Sequence, residues 1–266
     1  MRRRMAGVLW LSLALLAGQP DAEAANFSDE PSWLRIKPLL FGDRPVRDDS
    51  DAVLELFVSA QAEDASVVPV MVRTRLAQTA QRYISRIWLI VDENPSPFGV
   101  QFELTPLSGR ADIETRVRME SSSPIRAVAE LNDGSLWMSA KLVIGAGGCS
   151  APVSRSATAQ NLGRMKLRVE DQFAEPGEPV LAQLNVMHPQ FSGMASNVRM
   201  DPHYVRQVDV YYGQQRILRA NVDFTISENP VFRFYFQPQA EGELRAEAVD
   251  STELRFEEVL RYTPKQ

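Results

Sequence analysis

Cysteine and histidine are nearly missing from this 266-residue chain: Cys149 is the one cysteine, and His188 and His203 are the two histidines. A single cysteine excludes a disulfide framework within the chain. Two histidines without cysteine partners exclude zinc sites of the usual spacing. Positive charge is also short, with 29 basic against 34 acidic residues and a net charge of −5 at pH 7. No broad basic face is therefore available for a phosphate backbone. The hydrophobic and charged fractions, 44% and 24%, are ordinary, which excludes wholesale disorder, collagen and a many-pass membrane protein. The length is comfortable for two domains.

The first residues read as an address. Arg2, Arg3 and Arg4 precede the apolar stretch Met5–Gly18, then Pro20 and the small-residue run Ala22-Glu23-Ala24-Ala25. A positive start, a short apolar core and an A-x-A site together predict a secretory signal peptide over residues 1–24. Its apolar stretch would make about 21 Å of helix, short of the ~30 Å hydrocarbon core. The twin arginines lack the following phenylalanine or leucine of a twin-arginine signal. Cleavage near Ala24 removes three arginines and two acids and leaves an exported chain of about −6 with no later run long enough to span a bilayer. The mature protein is expected to be soluble and exported.

Beyond a short helix expected around Ser32–Leu40, apolar residues alternate. Leu54, Leu56 and Val58 share a face, and Val67–Arg73, Ile84–Val91, Val100–Thr105, Thr115–Glu120 and Ala127–Leu131 follow as short runs bounded by turn residues. Asn132-Asp133-Gly134 is a hairpin signal leading into Leu136–Ile144. The second half repeats the pattern in Val208/Val210/Tyr212, Arg216–Val222, Leu244/Ala246/Ala248 and the stripe Phe232/Phe234/Phe236, which reads as core. The fold class predicted is all-β: two immunoglobulin-like β-sandwich domains, residues 25–144 and 164–266, joined by a flexible Gly/Ser/Ala-rich cysteine-bearing linker, 145–163.

That linker holds the residue of greatest chemical interest. Most lone cysteines are buried, inert hydrophobes. Cys149 instead sits among Gly147, Gly148, Ser150 and Ala151, with no bulky apolar residue within four positions. An exposed thiol on a mobile arm of Gly145, Gly147, Gly148 and Ser150 is expected. From Ile144 to Cys149 such an arm extends about 17 Å at roughly 3.3 Å per residue. Nucleophilic catalysis needs a base and an orienting group at hydrogen-bond distance, and glycines beside the nucleophile defeat preorganisation. The pattern favours a handle for covalent cargo over a catalyst, so no catalytic residue is assigned. This reading requires a solvent-reachable sulfur. A sulfur packed inside, with its glycines locked, would leave two sandwiches of unknown purpose.

These residues resemble a known family. Gly147-Gly148-Cys149 after a strand resembles the Gly-Gly-Cys-Gly-Gly arm of SoxY, the thiol-bearing half of the SoxYZ sulfur carrier. The likeness continues through Asn94-Pro95-x-Pro97, Leu104–Gly109, Thr115–Arg118, Ala127–Leu131 and Asp133–Trp137. His188-Pro189, Ser192-Gly193-Met194, Tyr204-Val205 and Ile226–Phe234 resemble SoxZ. A single chain with both halves looks like the fused SoxYZ-like carriers associated with quinoprotein dehydrogenases. The resemblance implies a periplasmic, non-enzymatic carrier whose Cys149 holds sulfur intermediates of the kind met in thiosulfate oxidation. Its implied partners are sulfur-oxidation enzymes or a quinoprotein dehydrogenase system. Here Ser150 and Ala151 stand where the family arm has two further glycines, and the chain runs on, so Cys149 must enter a partner as a loop. A non-covalent immunoglobulin-like adaptor of the dehydrogenase is the alternative. Dimerisation through a Cys149 disulfide is chemically easy for an exposed thiol.

No cofactor or metal ligand is assigned. His188 and His203 are read as structural or interface residues. Gly145-x-Gly147-Gly148 opens no helix and lacks the lysine of a phosphate loop. Asp48-Asp49-Ser50-Asp51 lacks the glycine and glutamate of a calcium loop. Glu93-Asn94-Pro95 and its echo Glu228-Asn229-Pro230 read as turns.

Overall fold

The computed structural model describes residues 27–152, 161–170, 174–194 and 201–265. The expected signal peptide and residues 153–160 of the expected linker lie outside these. Helix α1 (Pro31–Phe41) starts with proline at a position needing no backbone donor, and ends at Gly42 with φ +60°. Before the cysteine run β1 (Val46–Arg47), β2 (Leu54–Phe57), β3 (Val68–Thr74), β4 (Ile84–Val91), β5 (Phe98–Leu104), β6 (Ile113–Val117), β7 (Ser123–Leu131) and β8 (Leu136–Val143). After it run β9 (Met165–Val169), β10 (Val180–Val186), β11 (Val205–Tyr212), β12 (Gln215–Val222), β13 (Val231–Phe236), β14 (Gly242–Asp250) and β15 (Arg255–Tyr262).

Alternation does what the sequence leads one to expect. In β2, β10 and β13 every second side chain is buried, including Phe232, Phe234 and Phe236. The exceptions are β7, buried along its whole length, and most of β4. The cause is α1, which covers the outer face of these strands: Trp33, Ile36 and Phe41 pack against Trp88, Ile90, Val128, Leu136 and Met138. A strand covered on both faces loses its period of two.

The two halves are joined by more than a linker. The sheets run through both of them, in the orders β1-β8-β7-β4-β5-β12-β11-β14-β15 and β2-β3-β6-β13-β10-β9. In the larger sheet β5 and β12 pair antiparallel from Leu104↔Leu218 to Val100↔Val222. In the smaller, Glu114 of β6 stands opposite Arg233 of β13 and forms an ion pair with it, and a bridge joins Val117 to Ile226. One apolar core runs through both sandwiches, with Phe102 edge-on to Phe232 at 5.9 Å. The two immunoglobulin-like sandwiches expected from the sequence are present, and they pack together through paired strand edges as well as through the connection that bears Cys149. Each sandwich has an open strand edge, and pairing the edges satisfies backbone groups that would otherwise face water. The register that achieves this cannot be read from either half alone.

Candidate functional site

Past β8 the chain does not leave the surface. It turns along the segment that joins β6 to β7 and binds it through the backbone. Gly147 N–H donates to Glu120 O and Gly148 N–H to Met119 O, each at 2.8 Å. The same segment is fixed from the other side, where Met119 N–H donates to Ala65 O and Arg118 N–H to Thr225 O. The Glu120 carboxylate then closes over the arm. Its Oε2 accepts the N–H groups of Cys149 and Ser150, both at 3.0 Å, and its Oε1 accepts the Ser150 hydroxyl at 3.0 Å. Ser192, from the second half, donates its hydroxyl to Cys149 O at 2.9 Å.

This overturns the exposed thiol on a mobile arm, and with it the form of the carrier reading that rested on a solvent-reachable sulfur. Cys149 is 1% exposed. The glycines are there for fit as well as freedom. A Cβ on Gly148 would lie 2.0 Å from Ala65 O and 2.7 Å from Met119 O, and Gly147 has φ +80°. A side chain at 148 would abolish the close approach on which docking depends. Composition alone predicts mobility for such a run, because it has little apolar surface to bury. Fixed backbone acceptors and one carboxylate supply the hold instead. A docked Cys149 also cannot reach a second chain, so the expected disulfide dimer needs an undocked arm.

Burial pushes the Cys149 thiol up to about 12; the Arg118 charge opposes this and Glu120 adds to it. A thiol so raised has almost no thiolate at neutral pH and is a poor nucleophile while docked. The arrangement therefore shields the sulfur while the arm is docked.

Beside the arm, between the two halves, lies a cavity of about 320 Å³ whose lining includes Gly148, Ala151, Arg116, Arg118 and Ser192. Arg118 is 7% exposed, its Nε has no hydrogen-bond partner, and burial lowers its affinity for the proton against the opposing charges of Cys149 and Glu228. Asn94 holds this segment from behind: its Nδ2 donates to Arg118 O at 2.8 Å and its Oδ1 accepts Glu120 N–H at 2.9 Å. The echo residue Asn229 does the same on the other wall, where its Oδ1 accepts His188 N–H at 3.1 Å. The two Glu-Asn-Pro segments are thus more than turns, since their asparagines brace opposite walls of one cavity. Sequence reading assigned no functional role to Glu120, Arg118, Asn94 or Ser192, although the family resemblance ran through Asn94, Arg118 and Ser192 and the Glu-Asn-Pro triplet recurred.

The histidines meet in a different place. His203 Nε2 lies 2.9 Å and His188 Nε2 3.5 Å from Asp250 Oδ2, and the possible ligand atoms of the three all lie within 4.8 Å of one another. That spacing would suit a transition metal. The hydrogen bonding favours a clamp instead. Gln190 N–H donates to His188 Nδ1 at 3.3 Å, which leaves the ring proton on Nε2, facing Asp250. Asp250 Oδ1 is filled by Thr252 N–H, the Thr252 hydroxyl and Leu254 N–H. Burial lowers His188 to about 4, with His203 adding to the effect. Burial would raise Asp250, but bonds from His203, Thr252 and Leu254 outweigh it and hold it at about 2.

Residues 38–149 match the family model of the sulfur oxidation protein SoxY, and residues 167–261 that of the sulphur oxidation protein SoxZ. The first match ends on Cys149. None of the curated proteins matches the chain. Among solved structures, an E23A variant of superoxide reductase (neelaredoxin) from Ignicoccus hospitalis is 15% identical over 39% of this chain and 82% of its own, with a TM-score of 0.30. A hypothetical protein from Pyrococcus horikoshii OT3 is 20% identical over 37% and 84%, TM-score 0.25. A β-glycosidase from Bacteroides vulgatus is 10% identical over 78% of this chain and 24% of its own, TM-score 0.24. Likenesses this remote carry no argument about function.

Proposed function

Because the chain belongs to the SoxY and SoxZ sulfur-oxidation families, as a fused SoxYZ-like protein with both domains in one polypeptide, we propose that it is a periplasmic carrier that holds sulfur-compound intermediates covalently on Cys149. Proteins of this carrier family act with sulfur-oxidation enzymes. The partners proposed here are such enzymes or a quinoprotein dehydrogenase system, reached after removal of the leader.

The observation that carries the reading is the way Cys149 is held. A merely structural cysteine would need neither a glycine cradle nor a carboxylate binding the two successive N–H groups at 149 and 150. Few groups hold the arm, and most of them act on backbone, so it can leave without unfolding the sandwiches. Docked, the thiol is protonated and shielded. Lifted, it returns toward an ordinary thiol and forms thiolate. Loading is then an exchange at sulfur: the Cys149 thiolate attacks a sulfur of an activated donor, an S–S bond forms, and the donor's leaving group departs with the electron pair.

The burial of Cys149 favours one rival, a non-covalent adaptor in which the docked arm is only architecture. Intact-mass analysis of protein from the native host separates the two. Persulfide or thiosulfonate adducts on Cys149, with loss of function in Cys149→Ser, are expected. Cargo-free protein and a fully functional Cys149→Ser variant would establish the adaptor.

A further inference from the structure

The larger sheet ends on β15, far along the chain from the arm, and one side of this strand has backbone groups that no described element uses. The sheet's opposite edge, β1, is two residues long, and the edges of the smaller sheet, β2 and β9, are four and five. β15 runs for eight residues without proline and pairs with β14 without a bulge. Shortness, proline and bulges are the usual devices that keep an edge from recruiting another strand. In the turn before β15, Asp250 N–H donates to Leu254 O at 3.1 Å, so these two form a hydrogen-bonded pair. Alternation from that pair turns the N–H and C=O of Phe256, Glu258, Leu260 and Tyr262 toward β14. Those of Arg255, Glu257, Val259 and Arg261 point away from it, and among the described residues no hydrogen bond reaches them. The side chains of the same four are exposed, and Val259, at 43%, is one of the most exposed apolar residues.

We propose that β15 pairs antiparallel with β15 of a second copy of this chain, about a two-fold axis at Val259, so that two larger sheets become one. Charge selects both the occupant and the register. Outward-facing residues bond only with outward-facing residues, so the copies slide in steps of two. With Val259 opposite Val259 of the second copy, Glu257 of each chain meets Arg261 of the other. A step one way sets Arg255 opposite Arg261. A step the other way leaves Glu257 opposite Thr263 and pairs no opposite charges. Opposite charges directly across a pair of strands stabilise it and like charges destabilise it. Within its own chain Arg261 makes a loose contact, 3.7 Å to Glu243, and is exposed enough to turn toward a second copy. The pairing is independent of the carrier reading and, unlike a disulfide dimer, needs no change at Cys149.

Sedimentation velocity of the full-length protein over a concentration series supplies the test, with dithiothreitol present to remove any dimer made through Cys149. Wild type is expected to pass from monomer to dimer as concentration rises. Glu257→Arg and Arg261→Glu are each expected to weaken association at least tenfold, because each sets like charges opposite one another on both sides of the axis. An equal mixture of the two variants is expected to associate as wild type does, since every swapped charge then meets its opposite in the other chain. Val259→Pro removes an outward N–H that the pairing with β14 does not use. It is expected to abolish the dimer with little change in denaturant unfolding, and the charge variants decide the matter if it does not fold. A wild type that stays monomeric to its solubility limit overturns the proposal. A dimer that persists unweakened in Glu257→Arg and Arg261→Glu overturns it as well, and folded single variants that fail to associate on mixing overturn the register.

Discussion

Two buried arginines divide the molecule into its fixed and its adaptable parts. Arg126, beneath α1, is fully buried and fully engaged. Its Nε and Nη2 bind the Asp92 carboxylate at 2.7–2.9 Å, Nη1 donates to Phe27 O, and the indole of Trp33 covers it at 4.5 Å. Asp92 also accepts the Ser32 hydroxyl, so helix, sheet and ion pair form one closed unit. Arg118, beside the arm, is almost as deeply buried but has an idle Nε and no carboxylate within ion-pair distance among the described residues. A charge with every partner present is architecture. A charge without them keeps bonding capacity that the fold does not use.

The largest effect expected from breaking this contrast is at the closed unit. Asp92→Asn leaves Arg126 buried without its counter-charge and is expected to cost about 3–5 kcal/mol, read by denaturant unfolding. Arm chemistry in the surviving folded fraction should be unchanged, which keeps the two regions separate.

The next effect is at Gly148. A methyl group there collides with backbone, so Gly148→Ala is expected to eject the arm and raise the alkylation rate of Cys149 at least tenfold with little change in global stability. An unchanged rate would mean that Gly148 does not govern docking.

Glu120→Gln keeps the shape but removes the charge that strengthens three hydrogen bonds. Bonds to charged groups are worth about 1.5–3 kcal/mol, so a rise in alkylation of roughly tenfold is expected, smaller than at Gly148. The pH profile sharpens the same point. The thiol is raised from 9.0 to about 12 in the docked arm. The docked state therefore disfavours thiolate, and docking is fully stable below pH 9 and weakens as pH climbs toward 12. Hydrogen exchange at Gly147 and Gly148 in wild type should accelerate across that window beyond the intrinsic base-catalysed rise, and Cys149→Ser should abolish that excess.

The smallest effect is expected from Arg118→Gln on stability. Its guanidinium brings few bonds to offset the cost of burial, so a change under about 1 kcal/mol is expected, in contrast to several at Asp92. A large loss would make Arg118 a second Arg126.

Much of the fold was legible in advance because it rests on period and turn chemistry. The buried stripe Phe232/Phe234/Phe236 and the Asn132-Asp133-Gly134 hairpin, with Gly134 at φ +86°, are local properties. The place of Cys149 among small neighbours was legible too, while the chemical role given to it is a proposal. The shared sheets were not legible, because the pairing of β5 with β12 depends on two edges far apart in sequence. Nor was the docked arm. Glycine-rich composition describes the freedom of a chain in isolation and says nothing of a carbonyl from Ala65 or a carboxylate from Glu120 placed against it.

By itself the sequence determined two strand-rich halves, the scarcity of metal and disulfide ligands, and one thiol on a slender connection, since each follows from residue type and spacing along the chain. Tertiary structure alone decided that the halves merge into common sheets, that the thiol is sheltered, and that Arg118 stands beside it with capacity to spare. The physical reason is that burial and charge pairing are relations between distant segments, which exist only once the chain has closed on itself.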